Sequence, residues 1–123
     1  MPRILVVEDD KLIGTLLAAM LEDMNLQVCA IETTERGAVE AALRLRPDMM
    51  IVDARLGQGS GIAAMVEIAR HLAIPHIFMS GGRLTSLDPE LPILLKPFNE
   101  QQLSEAIRQV LCAPQSEEEE VLF

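Results

Sequence analysis

The chain has 123 residues, half of them hydrophobic, with two cysteines and a formal charge of −9. That length holds one core rather than two, the apolar fraction excludes global disorder, and no apolar run approaches the roughly 20 residues that cross a bilayer. The acidic balance excludes a protein that grips nucleic-acid phosphates through a basic face, and Met1-Pro2-Arg3 enters an apolar run without a signal-peptide layout, so a cytoplasmic domain without direct nucleic-acid or membrane contacts is expected.

The first apolar run, Arg3–Val7, is too short for a helix, and its continuous apolarity suits a strand covered on both faces of a parallel sheet. "EDD" follows, then Ile13, Leu16, Leu17, Met20, Leu21 and Met24 at helical spacing. The second run, Gln27–Ile31, leads through Glu32, Thr33 and Thr34, which look like a helix start, into a stripe of Ala38, Val39, Ala42 and Leu43. The third, Met49–Val52, stops at Asp53 and is followed by a stripe of Ile62, Met65, Val66 and Ala69. The fourth, His76–Met79, stops at Ser80, and the fifth, Ile93–Leu95, stops at Lys96. A last stripe of Leu103, Ile107, Val110 and Leu111 begins at Asn99, a good N-cap with Gln102 as its capping partner.

Between the fourth and fifth runs stands "SGGRLTSLDPELP", where the rhythm requires a helix. Gly81, Gly82, Pro89 and Pro92 oppose one, leaving room for at most one turn over residues 86–91. The expected architecture is a doubly wound α/β domain over residues 1–113, with a parallel five-stranded sheet, right-handed crossovers and a fourth helix shortened or missing. Residues 114–123, "PQSEEEEVLF", read as a solvated acidic tail whose last letters look like the start of an engineered protease-cleavage tag.

In such a sheet, ligands bind beyond the carboxyl ends of the strands. The polar residues found there are Glu8, Asp9 and Asp10 after the first run, Asp53 after the third, Ser80 after the fourth and Lys96 after the fifth. Two carboxylates about 5 Å apart repel by about 3 kcal/mol at an effective dielectric near 20, so a third stays ionised only beside a cation. Mg2+ suits carboxylates plus a phosphoryl oxygen, Lys96 supplies a point charge for a second oxygen and Ser80 a hydrogen bond. Asp53 is then a carboxylate nucleophile placed for attack on phosphorus. Cys29 and Cys112, far apart and in apolar surroundings, are expected to be reduced thiols, and His71 and His76 to be structural.

"ILVVEDD", "IVDARLGQGSG", "IFMSGG" and "LLKPF", taken together, resemble the signature segments of response-regulator receiver domains of two-component signalling, over residues 2 to about 113. The resemblance implies the flavodoxin-like strand order 2-1-3-4-5. It implies Asp53 as phosphoacceptor, Asp9 and Asp10 as Mg2+ ligands helped by the Arg55 carbonyl, Ser80 and Lys96 on the phosphoryl group, and a cis Lys96-Pro97 bond. The phosphoryl donor would be a sensor histidine kinase or histidine phosphotransfer protein, and the output a changed contact with a downstream protein. The domain would be a signalling module rather than an enzyme, apart from catalysing its own phosphorylation and dephosphorylation.

Three features depart from the pattern. Gly57 stands where receivers usually carry proline, Ile93 where they commonly carry an aromatic switch residue, and only 16 positions separate Ser80 from Lys96. "IPHIFMSGGR" is similar to a motif of an alphaproteobacterial subset of receivers that lacks a regular fourth helix, without that motif's terminal aromatic. A readout through ordering of the 81–92 loop is the matching expectation. The rival readings are a receiver-shaped interaction module that is never phosphorylated and a phosphohydrolase of the haloacid-dehalogenase type. The second needs a DxD nucleophile on the first strand and a cap domain, which "EDDKL" and this length do not supply.

Overall fold

The structure is a computed structural model, and it describes residues 1–81 and 93–111. The expectations for the loop that follows Gly81, for Cys112 and for the tail at 114–123 lie outside the described residues.

Five strands form the main sheet: β1 (Arg3–Val7), β2 (Gln27–Glu32), β3 (Met49–Asp53), β6 (His76–Ser80) and β7 (Ile93–Leu95). They lie in the order β2-β1-β3-β6-β7, every pair parallel, which is the expected order when β6 and β7 are counted as fourth and fifth. The helices are α1 (Lys11–Asp23), α2 (Glu35–Leu45), α3 (Gly61–Ala69) and α4 (Glu100–Leu111). Strand alternation splits the core in two. Leu5, Val7, Met50, Val52 and Phe78 meet α2 and α3 through Ala38, Ala42, Met65 and Ile68. Ile4, Val6, Met49, Ile51 and Ile77 meet α1 and α4 through Leu17, Leu21, Leu103 and Ile107.

Each helix starts on a side chain that caps its free amides. Asp10 accepts from Leu12 and Ile13, Thr34 from Gly37, and Ser60 from Ala63. At α4 the expected reciprocal box forms: Gln102 N–H donates to Asn99 Oδ1 at 2.8 Å and Asn99 N–H to Gln102 Oε1 at 2.9 Å. Lys96-Pro97 is cis. No helix among the described residues is long and apolar enough to cross a membrane.

Three local features differ from the sequence expectation. Two further strands, β4 (Arg55–Leu56) and β5 (Gly59–Ser60), pair antiparallel just after Asp53. Two residues carry too little pattern to read as a strand, and the reversal depends on Gly59 at φ 125°. The α1 stripe is turned from its expected orientation: Gly14, Leu17 and Leu21 are buried, whereas Ile13 and Leu16 are 40% and 57% exposed. Glycine causes this, because its missing side chain lets α1 approach Ile31 of β2 and Glu8 just after β1 along that line. Val66, expected in the core, is likewise exposed, since Ala64, Met65 and Ile68 face the sheet.

Candidate functional site

The carboxyl ends of β1, β3, β6 and β7 meet at one rim. Asp53, the last residue of β3, keeps 6% of its surface exposed, and Ser80, the last of β6, also 6%. Lys96 follows β7, and its backbone N–H donates to the Ser80 carbonyl at 2.8 Å, extending the β6–β7 ladder by one rung. That rung fixes the root of the lysine side chain. Its Nζ then reaches inward, 2.7 Å from Asp53 Oδ2 and 2.9 Å from Glu8 Oε1.

Glu8 is the most deeply placed of the acids, 1% exposed, and its Oε2 accepts the Asp10 N–H at 3.1 Å. Burial pushes its carboxyl above the ordinary range, and the Lys96 and Asp10 hydrogen bonds pull it back only in part. For Lys96, burial acts to lower the pKa, but the hydrogen bonds and charges of Asp53 and Glu8 outweigh it and hold the ammonium above its usual value. Asp53 Oδ1 accepts from the Arg55 N–H at 3.2 Å, and Asp9 Oδ2 from the Gly57 N–H at 2.7 Å.

Carboxylate oxygens of Glu8, Asp9 and Asp53 all lie within 4.8 Å of one another. Among the described residues one ammonium, that of Lys96, is paired with this cluster, fewer positive charges than the three acids carry negative ones when ionised. A hard divalent cation that takes oxygen ligands fits this donor set, and receiver domains bind Mg2+ at such an acidic cluster.

The structure thus brings Asp9, Asp53 and Lys96 together, with Ser80 at the end of the adjacent strand. Asp10 sits differently: its Oδ1 caps α1, accepting from Leu12 N–H at 3.0 Å and Ile13 N–H at 3.2 Å. The convergent acid beside Asp9 is Glu8, which the sequence reading noted but did not select. The available signal was its position, the first polar residue after a fully apolar strand and therefore the one that begins nearest the core. Asp10→Ala is accordingly expected to lower stability by about 1 kcal/mol through loss of the cap. Mg2+ titration should find it far less impaired than Asp9→Ala, with denaturant unfolding reporting the stability loss.

A model of the response regulator receiver domain matches residues 4–108. The chain is 33% identical over 117 residues to the KDP operon transcriptional regulatory protein KdpE of Escherichia coli, a match covering 90% of this chain and 52% of that protein. It is 31% identical over 120 residues to the phyllosphere-induced regulator PhyR of Methylorubrum extorquens, covering 93% of this chain and 45% of that protein. The chain therefore spans about half the length of these curated relatives. The crystal structure of the response regulator PhyR from Brucella abortus superposes with a TM-score of 0.85 at 28% identity, over 98% of this chain and 52% of that one. The solution structure of the receiver domain of Erythrobacter litoralis PhyR superposes with a TM-score of 0.82 at 27% identity, covering 91% of each chain. Sequence and structure agree over nearly all of the sheet and its helices: the chain belongs to the response regulator receiver domain family, a family of signalling domains.

Proposed function

We propose that Asp53 accepts a phosphoryl group from the phosphohistidine of a sensor histidine kinase or histidine phosphotransfer protein, and that the modified domain changes its binding to a downstream protein. The observation that carries this reading is the short contact of Lys96 with a nearly buried Asp53, beside two further converging carboxylates. An Asp53 oxygen forms the new P–O bond while the P–N bond to the donor imidazole breaks, and the departing ring nitrogen takes up a proton. Lys96 moves its contacts from Asp53 toward a phosphoryl oxygen, and the Ser80 hydroxyl hydrogen-bonds another. Glu8, Asp9 and Asp53 would hold Mg2+ together with the Arg55 carbonyl, and Asp10, assigned to the ion by resemblance, would support the site through the start of α1. When bound, the ion supplies charge neutralisation for the transferring group.

A protein donor must cover the rim to reach Asp53. Beside it, α1 exposes Leu12, Ile13 and Leu16, at 68%, 40% and 57%. An apolar hollow of about 280 Å3 lies between α1 and the Lys96-Pro97-Phe98 segment, with Lys96 in both the hollow and the site. This surface suits an apolar side chain of the docked donor. Leu16→Glu is expected to slow transfer from a phosphorylated protein donor at least about 10-fold, the cost of one lost apolar anchor. Uptake from a small acyl phosphate should stay unchanged. A profile of transfer from purified candidate kinases, run on both proteins, measures this; equal slowing from both donors contradicts the docking surface, and transfer from no donor contradicts the function.

A further inference from the structure

The loop after Asp53 carries a contact that the transfer chemistry does not use. Gly57 N–H donates to Asp9 Oδ2 at 2.7 Å, across 48 positions of sequence. Among the described residues this is the one hydrogen bond made by the Asp9 side chain, which is exposed and lies outside α1. Without it, the carboxylate would lose rotamer freedom only when a ligand arrives, and binding would be weaker by that entropy. The donor is itself anchored. Gly57 lies in the turn of the β4–β5 hairpin, whose other arm is tied to α2 by the Ser60 N–H on Glu35 Oε1 at 3.0 Å.

A carboxylate held by a fixed N–H meets a cation already oriented, as groups behind metal ligands generally arrange. We propose that Gly57 is a positioning residue, whose backbone N–H orients Asp9 for the divalent cation and ties the cation site to the β4–β5 hairpin. The inference rests on the reading that Glu8, Asp9 and Asp53 hold the ion. Proline, the residue of the general receiver pattern at this place, has no N–H and cannot make this bond. The departure from the receiver pattern at this position thus supplies a donor.

Two substitutions isolate that donor. Gly57→Ala and Gly57→Pro both add a Cβ, which at this position would lie 3.1 Å from Asp9 Oδ2, and only proline removes the N–H. In calorimetric titrations with Mg2+ alone, Gly57→Pro should bind about 10-fold more weakly than Gly57→Ala, the lower end of losses seen when a ligand's supporting partner is removed. Equal affinities in the two variants, with normal binding by the unsubstituted chain, overturn the role of Gly57 and leave the cation site standing. Absence of Mg2+ binding by the unsubstituted chain overturns both.

Should Gly57→Pro not fold, amide spectra of the unsubstituted chain and of Asp9→Ala decide the matter. The Gly57 amide proton is expected downfield in the first and shifted upfield in the second, while the Ser60 amide, held by Glu35, stays in place. A Gly57 resonance unmoved by Asp9→Ala contradicts the inference.

Discussion

Lys96→Met is expected to slow the proposed phosphoryl uptake by Asp53 about 100-fold, the loss when one positioned donor to a charged transition state is removed. The methionine keeps most of the apolar stem and deletes the ammonium that lies 2.7 Å from Asp53 and 2.9 Å from Glu8. Two consequences follow from that one deletion. A transferring phosphoryl oxygen loses its counter-charge, and two largely buried carboxylates lose theirs. Breaking a buried pair by removing one partner costs about 3 kcal/mol or more, and partial exposure of Lys96 places the expected loss nearer about 2 kcal/mol. Saturating Mg2+ should restore part of that stability, because it neutralises the same carboxylates, but not the rate. Uptake from a small acyl phosphate and thermal unfolding with and without Mg2+ check the two halves. A variant that unfolds at the same temperature as the parent, with and without the ion, would contradict the placement of the ammonium.

Gly61→Ala is expected to cost more stability than alanine at any other described glycine, because there alone a Cβ would run into backbone. Gly61 opens α3, and its N–H donates to the Ala54 carbonyl at 3.0 Å, which brings the helix start against the end of β3. A Cβ there would overlap the Asp53 carbonyl oxygen and come within 2.6 Å of Val52 Cγ1. Backbone cannot yield as a flexible side chain would, so the helix must shift from the strand that carries Asp53. Overpacking of this kind costs about 3 kcal/mol, equivalent to a fall of roughly 10–15 °C in Tm for a domain of this size. Calorimetric melting measures it. Because the strain falls on the Asp53 peptide unit, uptake of the phosphoryl group should fall as well, even below the melting transition.

The central strands β1, β3 and β6 were legible because parallel strands covered on both faces appear as unbroken apolar runs, and the edge strands β2 and β7, less buried, were legible as short runs between helical stripes. Arg3–Val7 and Ile93–Leu95 match their expected limits, and the other three extend one residue further, onto Glu32, Asp53 and Ser80. These extra residues are polar, and at β3 and β6 they belong to the candidate site, held in the sheet by ladder pairing that an apolarity pattern does not register. The α1 stripe was misread for the opposite reason. Ile13 and Leu16 have the chemistry of core residues, but Gly14 sets which side of the helix approaches the sheet, and periodicity gives a glycine no weight. The different placements of Glu8, Asp9 and Asp10 were likewise not legible in the sequence. Three adjacent acids look equivalent in sequence, and only the exit angle of β1 makes one a buried partner of Lys96, one a neighbour of the hairpin and one a helix cap.

The central claim is that Asp53 is the group that accepts phosphate. Incubation of the chain with a small acyl phosphate and Mg2+, followed by intact-mass measurement and peptide mapping, tests it most directly. The account predicts the gain of one phosphoryl group, located on the peptide carrying Asp53 and absent from Asp53→Asn; no gain, or an equal gain in the variant, would contradict it.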